Sequence, residues 1–321
     1  MNEEILVGID IGGTAVKLGF INSQGEILKK WEIPTNLANA GNGIIDDIWN
    51  SIKAQLDQVD IKNKTILGLG VGAPGFIEAK TGYVYVAVNI GWKDFDLAQK
   101  LKEKSGLPVF VENDANLAAL GENWLGAGEQ ADNMIAITLG TGVGGGIIAN
   151  GKALNGENGM SGEIGHITID PNGYSCNCGR KGCLETIASA TGIVRQAMDY
   201  INDNGNSSIA AFYEENGKLT AKDVFDLASE GDEGCEAIVN NTMEILGLTI
   251  ANMCTIINPS KVLIGGGVSK AGDHLLTKIT TAFEKYALPR IQEACEIRIA
   301  KLGNDAGIIG GAYLVKQKLK Q

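Results

Sequence analysis

Asp10-Ile11-Gly12-Gly13-Thr14, set between the apolar run Ile5–Ile9 and the alternating Val16-Lys17-Leu18-Gly19-Phe20, decides how this chain is read. The flanking patterns predict two strands joined by a tight turn. Adjacent glycines let backbone approach an anion closely, with N–H groups able to cradle phosphate oxygens at Gly12, Gly13 and Thr14. An Asp at the strand end suits Mg2+, which takes one or two carboxylates plus substrate phosphates. A plain glycine hairpin whose Asp caps the turn would use the same residues. A dinucleotide fingerprint is excluded, because an alternating strand follows instead of a helix. Lys17 lacks the spacing of a phosphate-loop lysine.

Working outward, the pattern returns. Shifted by 128 positions, Ile9 falls on Ile137, Ile11 on Leu139, Gly12 on Gly140, Phe20 on Ile148 and Asn22 on Asn150. The repeat predicts two related α/β lobes, although any two buried hairpins share short apolar matches. The second turn, Gly140-Thr141-Gly142-Val143-Gly144-Gly145-Gly146, has five glycines in seven positions. Ordering so many glycines costs backbone entropy, and a structural turn needs one or two, so close approach to a polyphosphate is the better reason. Gly265-Gly266-Gly267 follows the apolar Val262–Ile264. It suits either a nucleoside lying on bare backbone or a tight turn.

Elsewhere, strands and helices alternate. Ile44, Ile45, Ile48, Trp49, Ile52 and Leu56 have helical spacing; Ile66–Val71 and Val109–Val111 read as strands. A last helix from about residue 305 to 318 has Ile308, Ile309, Ala312 and Leu314 on its apolar side. The expected lobes are 1–118 with 303–321, and 119–302, with the crossover inside a helix near Ala115–Gly121.

Glu112-Asn113-Asp114-Ala115-Asn116 marks the passage from a strand into a helix. Ligands of open α/β sheets gather outside the carboxyl ends of the strands. Transfer of a phosphoryl group to an alcohol needs a carboxylate to take the hydroxyl proton, and Asp114 suits that role, with Asn113 holding neighbouring hydroxyls. Capping of the helix explains the same residues equally well.

Glu163-Ile164-Gly165-His166 leads, after nine residues, into Cys176-Asn177-Cys178-Gly179-Arg180-Lys181-Gly182-Cys183-Leu184-Glu185. Three cysteines and a histidine at this spacing predict a closed, structural Zn2+ site at His166, Cys176, Cys178 and Cys183. Glu163 and Glu185 flank it, and two carboxylates beside a metal-held histidine suit a polyol.

The charge balance, 27 Lys plus Arg against 38 Asp plus Glu, gives a net −11. Such a surface repels nucleic acid and anionic membrane, and neither is expected as a partner. The start Met1-Asn2-Glu3-Glu4 lacks a basic n-region, and no stretch approaches the roughly 18 apolar residues of a span. A cytosolic location is expected.

These four motifs together resemble the ROK family of repressors and sugar kinases, and within it the bacterial ATP-dependent glucokinases. The likeness runs nearly end to end and includes Asn89-Ile90-Gly91-Trp92, Glu185-Thr186-Ile187-Ala188-Ser189 and Gly303-Asn304-Asp305-Ala306-Gly307. It implies an actin-like, ribonuclease-H-like fold in two lobes and transfer of the γ-phosphoryl group of ATP to the 6-hydroxyl of glucose. It implies Asp114 as catalytic base, and sugar binding by Asn113, Asp114, Glu163, His166 and Glu185. The turns at Asp10 and Gly140 would line the phosphates. Polyphosphate-using relatives lack the cysteine knot, which favours ATP. A homodimer is expected. Other ROK kinases, for fructose or N-acetylmannosamine, share these motifs. A sugar-sensing repressor would need a DNA-binding segment before Asp10.

Overall fold

In a computed structural model, which describes residues 3–56 and 64–320, the chain opens with β1 (Glu3–Ile11), β2 (Ala15–Asn22), β3 (Ile27–Pro34) and β4 (Lys64–Ala73). There follow β5 (Phe76–Glu78), β6 (Tyr83–Ala87), β7 (Trp92–Asp96) and β8 (Val109–Asn113). The later strands are β9 (Met134–Leu139), β10 (Val143–Ala149), β11 (Lys152–Ala153), β12 (Lys261–Gly265) and β13 (Glu296–Ile299). Met1 and Asn2, part of the acidic start read above, lie outside the described residues. No described helix is long and apolar enough to cross a membrane.

The first sheet has the order β3-β2-β1-β4-β8. β1 is covered on both faces, as a central strand must be: Ile5, Leu6, Val7, Ile9 and Ile11 are all buried. It pairs antiparallel with β2 and parallel with β4, and β4 is parallel to β8. The registers Asp10↔Gly72 and Gly72↔Glu112 place Asp10 and Glu112 in one row at the carboxyl ends of three strands. A second sheet has the order β11-β10-β9-β12-β13, again with its last three strands parallel. A three-stranded antiparallel sheet, β5-β6-β7, stands apart. Nothing in the sequence reading anticipated it, because its strands are too short to show a period.

Residues 1–130, 146–162 and 302–321 form one compact unit, and 131–145 with 163–301 the other. The expected boundary at 118/119 falls inside the helix Asp114–Leu125, and 146–162 group with the first unit instead of the second.

In the first unit, the face bearing Ile5, Val7 and Ile9 packs with Ile44, Ile48 and Ile52 of the helix Ile44–Leu56, and with Leu97 and Leu101 of Leu97–Ser105. On the other face, Leu6 and Ile21 meet Ile308, Ile309, Ala312 and Val315 of the helix Ala306–Lys318. Here backbone touches backbone. A Cβ on Gly8 would lie 1.8 Å from the Ile308 carbonyl oxygen, and one on Gly310 1.8 Å from that of Leu117. The glycines therefore draw this helix down against β1 and against the helix Asp114–Leu125. In the second unit, the helices Glu233–Ile257 and Gly272–Tyr286 pack closely at Gly247, where a Cβ would lie 2.4 Å from that of Ala282.

Candidate active site and metal centre

Asp10 is the penultimate residue of β1, and the turn that follows is tied down. The Gly12 N–H donates to Ala15 O at 3.0 Å, the Thr35 hydroxyl to Gly12 O at 2.6 Å, and the Thr35 N–H to Thr14 O at 2.9 Å. Gly13 and Thr14 are exposed, and a Cβ on Gly13 would meet nothing nearer than 3.8 Å. Packing thus gives no reason for that glycine, whereas an anion seated on bare backbone does. Burial pushes the Asp10 carboxyl above the usual range, with Lys17 pulling the other way.

β8 runs directly into the helix Asp114–Leu125. Asn113 is its N-cap, accepting from the N–H groups of Ala115 (2.9 Å) and Asn116 (3.3 Å), while its Nδ2 donates to Gly75 O at 3.2 Å. One amide hydrogen of Asn113 is left for a further acceptor. Asp114, half-buried in the first turn, accepts the Ala115 N–H at 2.8 Å.

Glu112, only 4% exposed, accepts from the Asn113 N–H at 3.0 Å, Asn116 Nδ2 at 3.1 Å and Asn155 Nδ2 at 2.8 and 2.7 Å. Sequence reasoning had assigned no task to Glu112 or Asn155. A cavity of about 370 Å³ borders both, and Lys152 and Gln317, but not Asp114.

In the second unit, the Gly140 N–H donates to Gly142 O at 3.0 Å, and Gly140 O accepts from Ala190 N–H at 2.8 Å. A Cβ on Gly140 or on Gly267 would meet nothing within 4 Å. Thr141 is exposed. Gly266 differs: its φ is +85° and a Cβ would lie 2.4 Å from Leu139 O, so the turn itself demands glycine. Gly265 is merely close-packed, with Ala300 Cβ at 3.3 Å from its Cβ position. Gly146, in the first unit, also has a structural reason, since a Cβ there would lie 2.7 Å from Ala119 Cβ. The glycine-rich second turn is thus partly helix packing, which its sequence does not disclose.

His166, Cys176, Cys178 and Cys183 bring one ligand atom each to within 4.8 Å of one another. Cys176 Sγ stands 3.7 Å from His166 Nδ1, and Cys178 Sγ 3.6 Å from Cys183 Sγ. Ligands at about 2.3 Å from one tetrahedral ion stand about 3.7 Å apart, so these two pairs have the spacing that zinc ligands need. Sharp turns make this possible: Gly179 and Gly182 have φ of +87° and +67°, and a Cβ on Gly182 would lie 1.5 Å from Asp170 O. Arg180 Nη2 donates to His166 O at 2.7 Å, locking the histidine to the knot. Burial pushes the Cys176 thiol up to about 12, while Cys178 is drawn down to about 6, first by a backbone hydrogen bond from Arg180. A bound cation would deprotonate both.

The imidazole lies between two carboxylates. His166 Nε2 is 4.0 Å from Glu163 Oε2, and Nδ1 is 3.8 Å from Glu185 Oε1, which also takes the Cys176 thiol at 2.9 Å. With Nδ1 turned to the cysteines, Nε2 and Glu163 remain for a ligand. Burial raises the Glu163 pKa, His166 lowers it and Glu185 raises it further. Glu185 Oε2 also stands 2.8 Å from where a Cβ of Gly142 would be, so the knot and the second glycine turn adjoin.

Comparison with known proteins accords with this geometry. The sequence profile of the ROK family matches residues 6–318. The chain belongs to the ROK family. Within that family it is 54% identical over 319 residues to a glucokinase of Halalkalibacterium halodurans, covering 99% of this chain and 97% of that one. It is 36% identical to a glucokinase of Thermotoga maritima, with 98% of each chain covered. A ROK family glucokinase from Streptomyces griseus, solved in complex with glucose and AMPPNP, is 33% identical, with 98% and 99% covered and a TM-score of 0.78. The chain thus has the actin-like, ribonuclease-H-like ROK fold expected from the motifs.

Proposed function

We propose that this chain is a glucokinase that transfers the γ-phosphoryl group of ATP to the 6-hydroxyl of glucose. The observation that carries the reading is 54% identity to a glucokinase across 99% of the chain. The relative bound to glucose and AMPPNP supports the same pair of substrates.

In this reading Asp114 accepts the proton of the 6-hydroxyl as that oxygen attacks phosphorus. It stands in the first turn of the helix that follows β8. Asn113, Glu163, His166 and Glu185 orient the other hydroxyls; Asn113 brings its remaining amide hydrogen, and His166 its Nε2. With the N–H groups of Gly12 and Gly140 closing their own turns, those of Gly13, Thr14, Thr141 and Gly142 hold phosphate oxygens. Gly265, Gly266 and Gly267 lie along the nucleoside. Magnesium bound near Asp10 would neutralise phosphate charge. Zinc held by His166, Cys176, Cys178 and Cys183 would be structural, since four protein ligands leave no position for water. A homodimer and a cytosolic location complete the reading.

The test is a coupled assay of purified protein with ATP and a panel of hexoses. Glucose is expected to give the highest kcat/KM. A higher value with fructose or N-acetylmannosamine would move the substrate assignment, and no phosphorylation of any hexose would overturn the kinase reading.

A further inference from the structure

Glu112 is a buried carboxylate, and no cation pairs with it among the described residues. Keeping such a charge out of water is costly unless hydrogen bonds satisfy it. Here three amide groups converge on it: the Asn113 backbone N–H and the side chains of Asn116 and Asn155. Only a carboxylate accepts so many bonds at once. Two of the donors belong to the turn carrying Asp114. The third comes from 43 residues further along, in a loop closed by the Ser161 N–H donating to Asn155 O at 3.2 Å. That loop sits against β5, where a Cβ on Gly159 would lie 2.1 Å from Ile77 O, and it leads by sequence to Glu163.

We propose that Glu112 is a positioning residue for Asp114, fixing the strand-to-helix turn with Asn155 as its brace. The proposal rests on Asp114 being the base of the kinase reaction. Glu112 Oε2 contacts Asn155 alone among these donors, whereas Oε1 also takes the Asn113 and Asn116 bonds. The two partners can therefore be exchanged. Asn155→Asp sets one carboxylate against another and expels the brace. Adding Glu112→Gln lets the new amide donate to the new carboxylate, while its oxygen still serves Asn113 and Asn116.

The experiment compares wild type, Asn155→Asp, Glu112→Gln and the double variant. Displacements of about 1 Å at a reacting group cost on the order of a hundredfold. Asn155→Asp is expected to lower kcat/KM for glucose by about tenfold to a hundredfold, with the KM for ATP unchanged, and the double variant to recover most of it. Hydrogen exchange at the Asn113 amide, which donates to Glu112, is expected to quicken in Asn155→Asp and to slow again in the double variant. A double variant no better than Asn155→Asp in both measurements would overturn the proposal, as would wild-type kcat and wild-type exchange in Asn155→Asp. Should the wild type phosphorylate no hexose, the kinase reading fails, and the exchange measurement decides the bracing role by itself.

Discussion

The two five-stranded sheets repeat one order and one set of strand directions, but the chain completes them with different material. Between β3 and β4 the first inserts residues 35–63, including the helix Ile44–Leu56. At the matching place, between β11 and β12, the second inserts residues 154–260, which hold the Cys/His knot and a run of helices. The hairpin turns differ as well. Asp10 precedes the first, while the position 128 further on is Thr138, so only one turn offers a carboxylate. A repeated scaffold thus places two glycine turns alike, and the chemistry lies in what departs from the repeat.

The sharpest way to break this comparison is at the end of β8. Asp114→Asn preserves size and leaves the cap to Asn113. We expect kcat to fall by about a hundred- to ten-thousand-fold, with little change in glucose Kd by calorimetry. A variant keeping more than about a tenth of wild-type kcat would remove Asp114 from the role of base.

The knot comes next, since no counterpart exists in the first sheet. Metal analysis should find about one zinc per chain, and Cys178→Ser should lose it together with on the order of 4 kcal/mol of stability. A metal-free variant as stable and active as wild type would deny the knot its structural part.

A smaller effect separates glycines that pack from glycines that wait for a ligand. Gly310→Ala drives a methyl into the Leu117 carbonyl and should cost about 1 to 3 kcal/mol in denaturant unfolding. Gly140→Ala meets nothing and should change stability by less than about 0.5 kcal/mol while raising the KM for ATP. Equal destabilisation by the two would erase the distinction.

Asp10 gives the smallest shift. Burial raises its folded pKa above the unfolded value, so the folded chain holds that proton more tightly and loses stability as pH rises through the folded pKa. At pH 7 without ligands, Asp10→Asn should raise Tm by about 1 to 3 °C, a gain that fades as pH falls towards 4, while turnover drops. A lowered Tm at pH 7 would show that the charge is compensated.

Much of this was legible in the sequence because it is local. Strand periodicity around the first turn, the helical spacing from Ile44 to Leu56 and the cysteine spacing each report on neighbours within one element. What stayed hidden depends on partners far along the chain. Glu112 reads as one more acid at a strand end, and only folding sets Asn155 against it. Nothing in the sequence marks Glu122, yet it is 4% exposed and accepts the N–H groups of Ala127 (3.1 Å) and Leu302 (2.6 Å). Gly146 reads as part of a phosphate loop, while its neighbour is a helix. For Asn113, capping and ligand binding were alternatives in sequence; the geometry shows the cap and leaves one amide hydrogen over.

The glycine-seated helix Ala306–Lys318 also sets a timetable for synthesis. Leu6 and Ile21 are translated well before the residues that cover them, Ile308, Ile309, Ala312 and Val315. Until then one face of the first sheet is bare, and residues 163–301 of the other unit have already emerged. The first unit to begin is therefore the last to finish. A ribosome stalled before residue 306 would display an apolar sheet face that invites chaperones or aggregation.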